Sequence, residues 1–177
     1  MIKKLVGAAV GFGILFGVGA FFYLLTNNKL NIGYNQGHAP EQPLPYSHKW
    51  HAGTLEIDCK YCHVAASESR HASVPSLNIC MNCHLNVGTK TDALDQLKDA
   101  FNNDEPIAWN RVHMLPDHVK FNHAPHIKAG KDCQECHGAI ETMDTVSQSS
   151  DLSMGWCINC HREQEPPAPI NCSTCHY

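Results

Sequence analysis

Ten cysteines constrain this chain more than anything else in it. They fall into five Cys-x-x-Cys-His runs and none is left over. The runs are Cys59, Cys62 and His63; Cys80, Cys83 and His84; Cys133, Cys136 and His137; Cys157, Cys160 and His161; and Cys172, Cys175 and His176. This is the attachment signature of c-type haem. Two sulfurs add to the vinyl groups, and the adjoining histidine sits beneath the iron. Zinc ribbons also pair Cys-x-x-Cys runs into tetrahedral sites. They need no histidine after every second cysteine, and five is an odd number to pair. A disulfide scaffold leaves the histidines unexplained. The motifs therefore predict five covalently bound haem c groups.

Each iron then needs a second ligand from the far side of its ring, because the porphyrin separates that side from the motif histidine. Eight histidines lie outside the motifs: 38, 48, 51, 71, 113, 118, 123 and 126. Four of them form a repeated pattern. Tyr46 to His63 reads YSHKWHAGTLEIDCKYCH, and Phe121 to His137 reads FNHAPHIKAGKDCQECH. In both, an aromatic and a small polar residue precede His-x-x-His, and Asp-Cys-x-x-Cys-His follows. Each copy leads into a second site, LNICMNCH ending at His84 and MGWCINCH ending at His161. The chain reads as a duplicated two-haem unit with a fifth site added. His48, His51, His123 and His126 are the expected distal ligands, one of each pair serving a neighbouring iron. A methionine ligand would raise a potential, and Met114, Met143 and Met154 are available, but packing is the favoured role for them.

The N-terminus is of another kind. Leu5 to Leu25 contains no charged residue, and its 21 residues would span about 31 Å as a helix, enough to cross a bilayer. A cleaved signal peptide is the competing reading. The apolar run continues through Phe21, Phe22, Tyr23, Leu24 and Leu25, past the small residues where cleavage is expected, which favours a retained anchor. Lys3 and Lys4 place the N-terminus in the cytoplasm and export the rest. Gly7, Gly11, Gly13 and Gly17 have the spacing that lets membrane helices approach closely, though glycine is also common in such helices generally. Residues 1–25 are thus expected to be a transmembrane anchor, 26–45 a linker and 46–177 a periplasmic haem domain.

Within that domain the apolar patterning is sparse. Thr91 to Phe101 predicts one helix, with Thr91 as its cap, Ala93, Leu94, Leu97 and Phe101 as its stripe, and Asn102-Asn103 as its end. Glu105 to Pro116 predicts an extended connector. Pro166, Pro167 and Pro169 predict a stiff spacer holding the fifth site away from the fourth. Elsewhere loops and short helices are expected, with haem supplying the missing core. The formal charge of −4 would become more negative by up to about 10 units through ionised propionates, since carboxylic acids titrate near pH 4. Nothing suggests nucleic-acid binding.

Paired His-x-x-His before Cys-x-x-Cys-His resembles class III multihaem cytochromes c. Longer phrases carry a closer likeness. PYSHKWHAGTLEIDCKYCH, VPSLNICMNCH, WNRVHMLPDHVKFNHAPH and LSMGWCINCHRE resemble the pentahaem subunit of alternative complex III, a bacterial quinol:electron acceptor oxidoreductase, over residues 46 to 163. The resemblance implies a mostly irregular and α-helical multihaem cytochrome c with one N-terminal transmembrane helix, anchored singly in the cytoplasmic membrane. It implies an electron-transfer subunit that makes or breaks no substrate bonds itself. The implied partners are an iron–sulfur subunit, integral membrane quinol-binding subunits, and a monohaem cytochrome c or terminal oxidase as acceptor. It also implies His113 as the fifth distal ligand, with His71 and His118 in reserve. Two other readings stay open. One is a stand-alone membrane quinol dehydrogenase feeding a periplasmic reductase. The other is a multihaem reductase, which needs an iron with an open position.

Overall fold

The structure, a computed structural model, describes residues 2–26 and 35–177. It divides into two units, one ending at Asn35 and one running from Gln36 to Tyr177. The first contains a single helix, α1 (Ile2–Thr26). Apolar side chains are bare along it: Phe12 is 74% exposed, Leu15 73% and Phe16 71%. Counted over the described residues, no helix is long and apolar enough to cross a membrane. Residues 27–34 of the expected linker lie outside the described residues.

The second unit begins earlier than the composition of 26–45 suggests. Gly37 donates its N–H to the Gln148 carbonyl at 2.7 Å, and Gln148 returns one to His38 at 2.9 Å. The Gln42 and Asn110 side chains bond across to each other's segments, and Leu44 is buried. These bonds draw Gln36–Pro45 onto the haem-motif unit, so it is not a free tether.

Among the described residues this unit has no strand and only short helices. A π-helical turn (Lys49–Thr54) is followed by α2 (Cys59–Cys62), α3 (Leu77–His84), α4 (Asp92–Asn102), α5 (His123–Lys128), α6 (Cys133–His137), a 3-10 turn (Ile140–Thr142), α7 (Met154–Glu163) and α8 (Cys172–Cys175). Local chemistry explains their starts. The Asp58 carboxylate accepts from the Lys60 N–H at 2.7 Å, Thr91 from Leu94 at 3.2 Å, Asn122 from Ala124 at 3.1 Å and Ser153 from Trp156 at 3.1 Å. Each satisfies a backbone donor that the first turn leaves unpaired. The predicted helix after Thr91 is α4, and it packs on α3.

The buried apolar set among the described residues is only Leu44, Ala66, Met81, Ala100 and Ala124. Three of these are alanines, which bury little area. A unit of this length ordinarily excludes water from a far larger core. The π turn instead packs on the 3-10 turn, and Gly53 is where they meet: a Cβ there would collide with the Glu141 carbonyl oxygen. Gly138, directly after His137, has φ +74° and faces Ser149 where a side chain would go. Gly53→Ala should cost about 1–3 kcal/mol through overpacking and lower the thermal midpoint of the protein. An unchanged midpoint would mean that the two turns are not in contact.

Candidate haem-ligation sites

The duplicated pattern folds twice into the same local device. In the first copy the second histidine turns its Nδ1 onto the carbonyl four residues back, His51 to Ser47 at 2.9 Å. In the second copy His126 does the same to Asn122 at 2.7 Å. The aromatic at the head of each copy lies against both rings. Tyr46 stacks on His51 at 4.4 Å and meets His48 edge-on at 4.8 Å. Phe121 lies 4.6 Å from His126 and edge-on to His123 at 4.8 Å. The first copy does this on a π turn and the second on α5. Burial, then Cys62 and Cys80, pushes the Tyr46 phenol up to about 12, so it stays neutral.

The five motif histidines share a second feature: each has its Nδ1 engaged. His63 meets the Ser73 carbonyl at 2.6 Å, His84 that of Val87 at 3.2 Å, His161 that of Pro169 at 2.6 Å and His176 that of His118 at 3.0 Å. His137 differs, meeting His113 Nε2 at 3.0 Å. With Nδ1 carrying the proton, Nε2 keeps a lone pair. That is the tautomer a metal-ligating imidazole requires.

Across from these rings stand other imidazoles. Ring centroids are 6.1 Å apart for His51 and His84, 6.3 Å for His123 and His137, and 5.9 Å for His126 and His161. The His123 and His137 planes differ by only 3°. His48 lies beside His63. A metal–imidazole bond of about 2 Å on each side of one ion holds two ring centroids roughly 6 Å apart. The separations suit one iron between each pair. Burial, then His63 and His51, takes His48 down to about 4. Burial, then His113, His123 and His63, takes His137 to about 4. His113 and His126 are lowered as well, chiefly by burial. Neutral rings are the ones that can donate a lone pair.

The cysteines fit the same cofactor. All ten are free thiols. No group of three or more His, Cys, Asp or Glu side chains among the described residues gathers around a single point, as a zinc ribbon would require. Neighbouring motifs approach through their thiols. Cys62 lies near Cys80 and Cys83, Cys59 contacts Cys133, Cys136 lies near Cys160, and Cys157 near Cys175. Tyr61 and Asn82 bond at 3.1 Å between the first two motifs. The sites thus adjoin one another in the order second, first, third, fourth, fifth. The proline-rich spacer does not hold the fifth motif away. It curls back: Ala168 donates to the His161 carbonyl at 2.9 Å while Pro169 receives the His161 Nδ1.

His113 and His118 do not sit as facing partners of this kind. The His118 ring stacks 5.5 Å from His176, but its own carbonyl is the acceptor for the His176 Nδ1. His71 is exposed on the loop that carries Arg70 over the Tyr177 ring at 5.9 Å. The residue that sequence reasoning missed is Gln148, fully buried. Its Oε1 accepts from the Met114 N–H and its Nε2 donates to the Ser150 carbonyl, both at 3.0 Å. A lone glutamine in a polar loop gives no sequence signal.

The sequence is similar to two known groups of proteins. Residues 119–177 match the family model for cytochrome c7 and related cytochrome c. The multihaem cytochrome c subunit of a menaquinone reductase from Nitratidesulfovibrio vulgaris is 32% identical over 98 residues, covering 55% of this chain and 46% of that relative. The chain therefore spans about half the length of the curated relative it matches. The stretch that matches the cytochrome c7 model contains the third, fourth and fifth Cys-x-x-Cys-His motifs.

Proposed function

We propose that this chain is a membrane-anchored pentahaem c-type cytochrome that relays electrons between the membrane quinone pool and a periplasmic carrier, as a subunit of a larger respiratory complex of the alternative complex III kind. The observation that carries the reading is the set of facing imidazoles about 6 Å apart, next to pairs of free thiols. Five haem c groups would be tethered by the ten motif cysteines and held by His63, His84, His137, His161 and His176. His48, His51, His123 and His126 would bind from the opposite faces. The bound haems would supply reversible one-electron iron chemistry.

The chain's own residues do the rest. Carbonyl acceptors fix the ring orientation of the ligands and raise their donor strength. The His-x-x-His pairs divide between two sites each, so one short turn clamps two neighbouring motifs together. The motif order of second, first, third, fourth, fifth would form a continuous electron path with the second and fifth sites at its ends. The spacer returned onto His161 keeps the last two sites close.

The anchor rests on α1. Its 25 residues would extend about 37 Å, no charge interrupts Leu5 to Leu25, and apolar side chains described on it, such as Phe12, Leu15 and Phe16, are exposed. Helices hydrophobic all round belong in a bilayer or a protein core. Iron–sulfur and integral quinone-binding subunits would complete the complex, with a monohaem cytochrome c or terminal oxidase as acceptor. A second reading runs electrons the opposite way, into menaquinone, and the name of the Nitratidesulfovibrio vulgaris relative favours it.

Three measurements test this. Mass spectrometry of the denatured, acid–acetone-extracted chain should give the polypeptide plus five haems; three or fewer would refute the motif reading. In detergent or liposomes the isolated chain should accept electrons from a reductant yet not from quinol, because the quinone site is assigned to the integral membrane subunits of the proposed complex. Rapid quinol-driven reduction of the chain alone contradicts the relay. In the intact complex, haem reduction by quinol and haem oxidation by menaquinone separate the two directions.

A further inference from the structure

We infer that His113 is not the sixth ligand of any iron: it is the hydrogen-bond acceptor that orients His137 and sets the potential of the third haem site. This rests on the ligation reading above. The chemistry of one nitrogen decides it. If His137 binds iron through Nε2, its proton sits on Nδ1. That Nδ1 lies 3.0 Å from His113 Nε2. His137 is then the donor, and the His113 Nε2 lone pair is the acceptor. A lone pair engaged in that bond cannot also bind a metal.

Position agrees with chemistry. The His113 and His137 centroids are 4.3 Å apart and their planes meet at 86°, too close for an ion between them at about 2 Å from each nitrogen. His123 already occupies the facing place, parallel to His137 at 6.3 Å, with its own Nδ1 on the Arg70 carbonyl at 2.8 Å. A group meeting Nδ1 stands on the same side of the porphyrin as the motif histidine. His113 therefore backs the proximal ligand.

The segment that carries His113 is built for this task at two sites. Seven residues further along its course, the Lys120 N–H donates to the Cys175 carbonyl at 2.7 Å, and between them the His118 carbonyl receives the His176 Nδ1 at 3.0 Å. The segment thus runs behind the third and fifth motif histidines. It is pinned beside His113 by the buried Gln148, which accepts from the Met114 N–H, and by Arg111, whose Nε donates to the His113 carbonyl at 3.1 Å. At the four other motif histidines the acceptor is a backbone carbonyl. Only the third has an exchangeable side chain, so only there can a substitution alter the acceptor. A stronger acceptor makes the imidazole a better donor and favours ferric iron.

The test uses the full-length holoprotein with His113→Ala and His113→Gln, read by EPR, carbon monoxide binding to the reduced state and redox titration of the resolved haems. Wild-type protein should show low-spin haems. His113→Ala should add no high-spin signal and no carbon monoxide band to those of the wild type, while one midpoint potential rises and the others hold. His113→Gln, whose Oε1 can accept the same bond, should return that potential towards the wild-type value. A new high-spin signal or carbon monoxide band in either variant overturns the inference and makes His113 a sixth ligand. Unchanged potentials in His113→Ala overturn it too. If His113→Ala does not assemble, His113→Gln decides: wild-type spin states at wild-type potentials support the role, and a high-spin haem absent from the wild type refutes it. Wild-type protein without covalent low-spin haem would instead defeat the underlying ligation reading.

Discussion

The hydrogen bond at each motif histidine's Nδ1 is the interaction on which the arrangement depends. It holds the proton on Nδ1, leaves the Nε2 lone pair free and ties another piece of the chain to the site. Ser73, Val87, Pro169 and His118 give their carbonyls to this purpose, and His113 gives a ring nitrogen. Each bond therefore bends the loop that carries its acceptor. The return of the proline-rich spacer onto His161 and the course of the 113–120 segment behind two sites are both consequences. In a chain with so few buried apolar side chains, such bonds do the work that helix packing does elsewhere.

The second constraint is the sharing of His-x-x-His between sites. In the first copy, His48 lies by His63 and His51 faces His84; in the second, His123 faces His137 and His126 faces His161. Two residues separated by one turn thus bridge two motifs. The aromatic in front of each pair, Tyr46 or Phe121, stacks on the second ring and edges the first. That recurrence on two different turn types, π and α, suggests that ring placement rather than helix type is what both copies hold in common.

Much of this was legible in the sequence because its carriers are chemically unmistakable. Five Cys-x-x-Cys-His runs cannot be spread by chance over ten cysteines, and the duplicated His-x-x-His marks itself by repetition. The α4 helix announced its cap and its stripe. Other features were not legible because they depend on contacts between distant residues. Gln36–Pro45 reads as linker by composition, yet joins the haem-motif unit through Gln148 and Asn110. The prolines near residue 167 suggested separation, and two bonds to His161 reverse that. His113 stands in a phrase whose likeness implied a distal ligand, while its ring meets the back of His137. Direction of approach is a three-dimensional property that a phrase does not encode.

If imidazole pairs and covalent porphyrins replace an apolar core, residues 36–177 should not hold together without them. The most direct measurement is hydrogen–deuterium exchange on the chain produced with and without haem attachment. Burial of apolar porphyrin area at about 25 cal/mol per Å² is the stabilisation that the side chains here do not supply. The account predicts strong protection of the α5–α6 and α7 amides in the holoprotein and exchange at nearly unfolded rates throughout the haem-free chain. Matching protection in both forms would contradict it, because the polypeptide would then possess a core of its own.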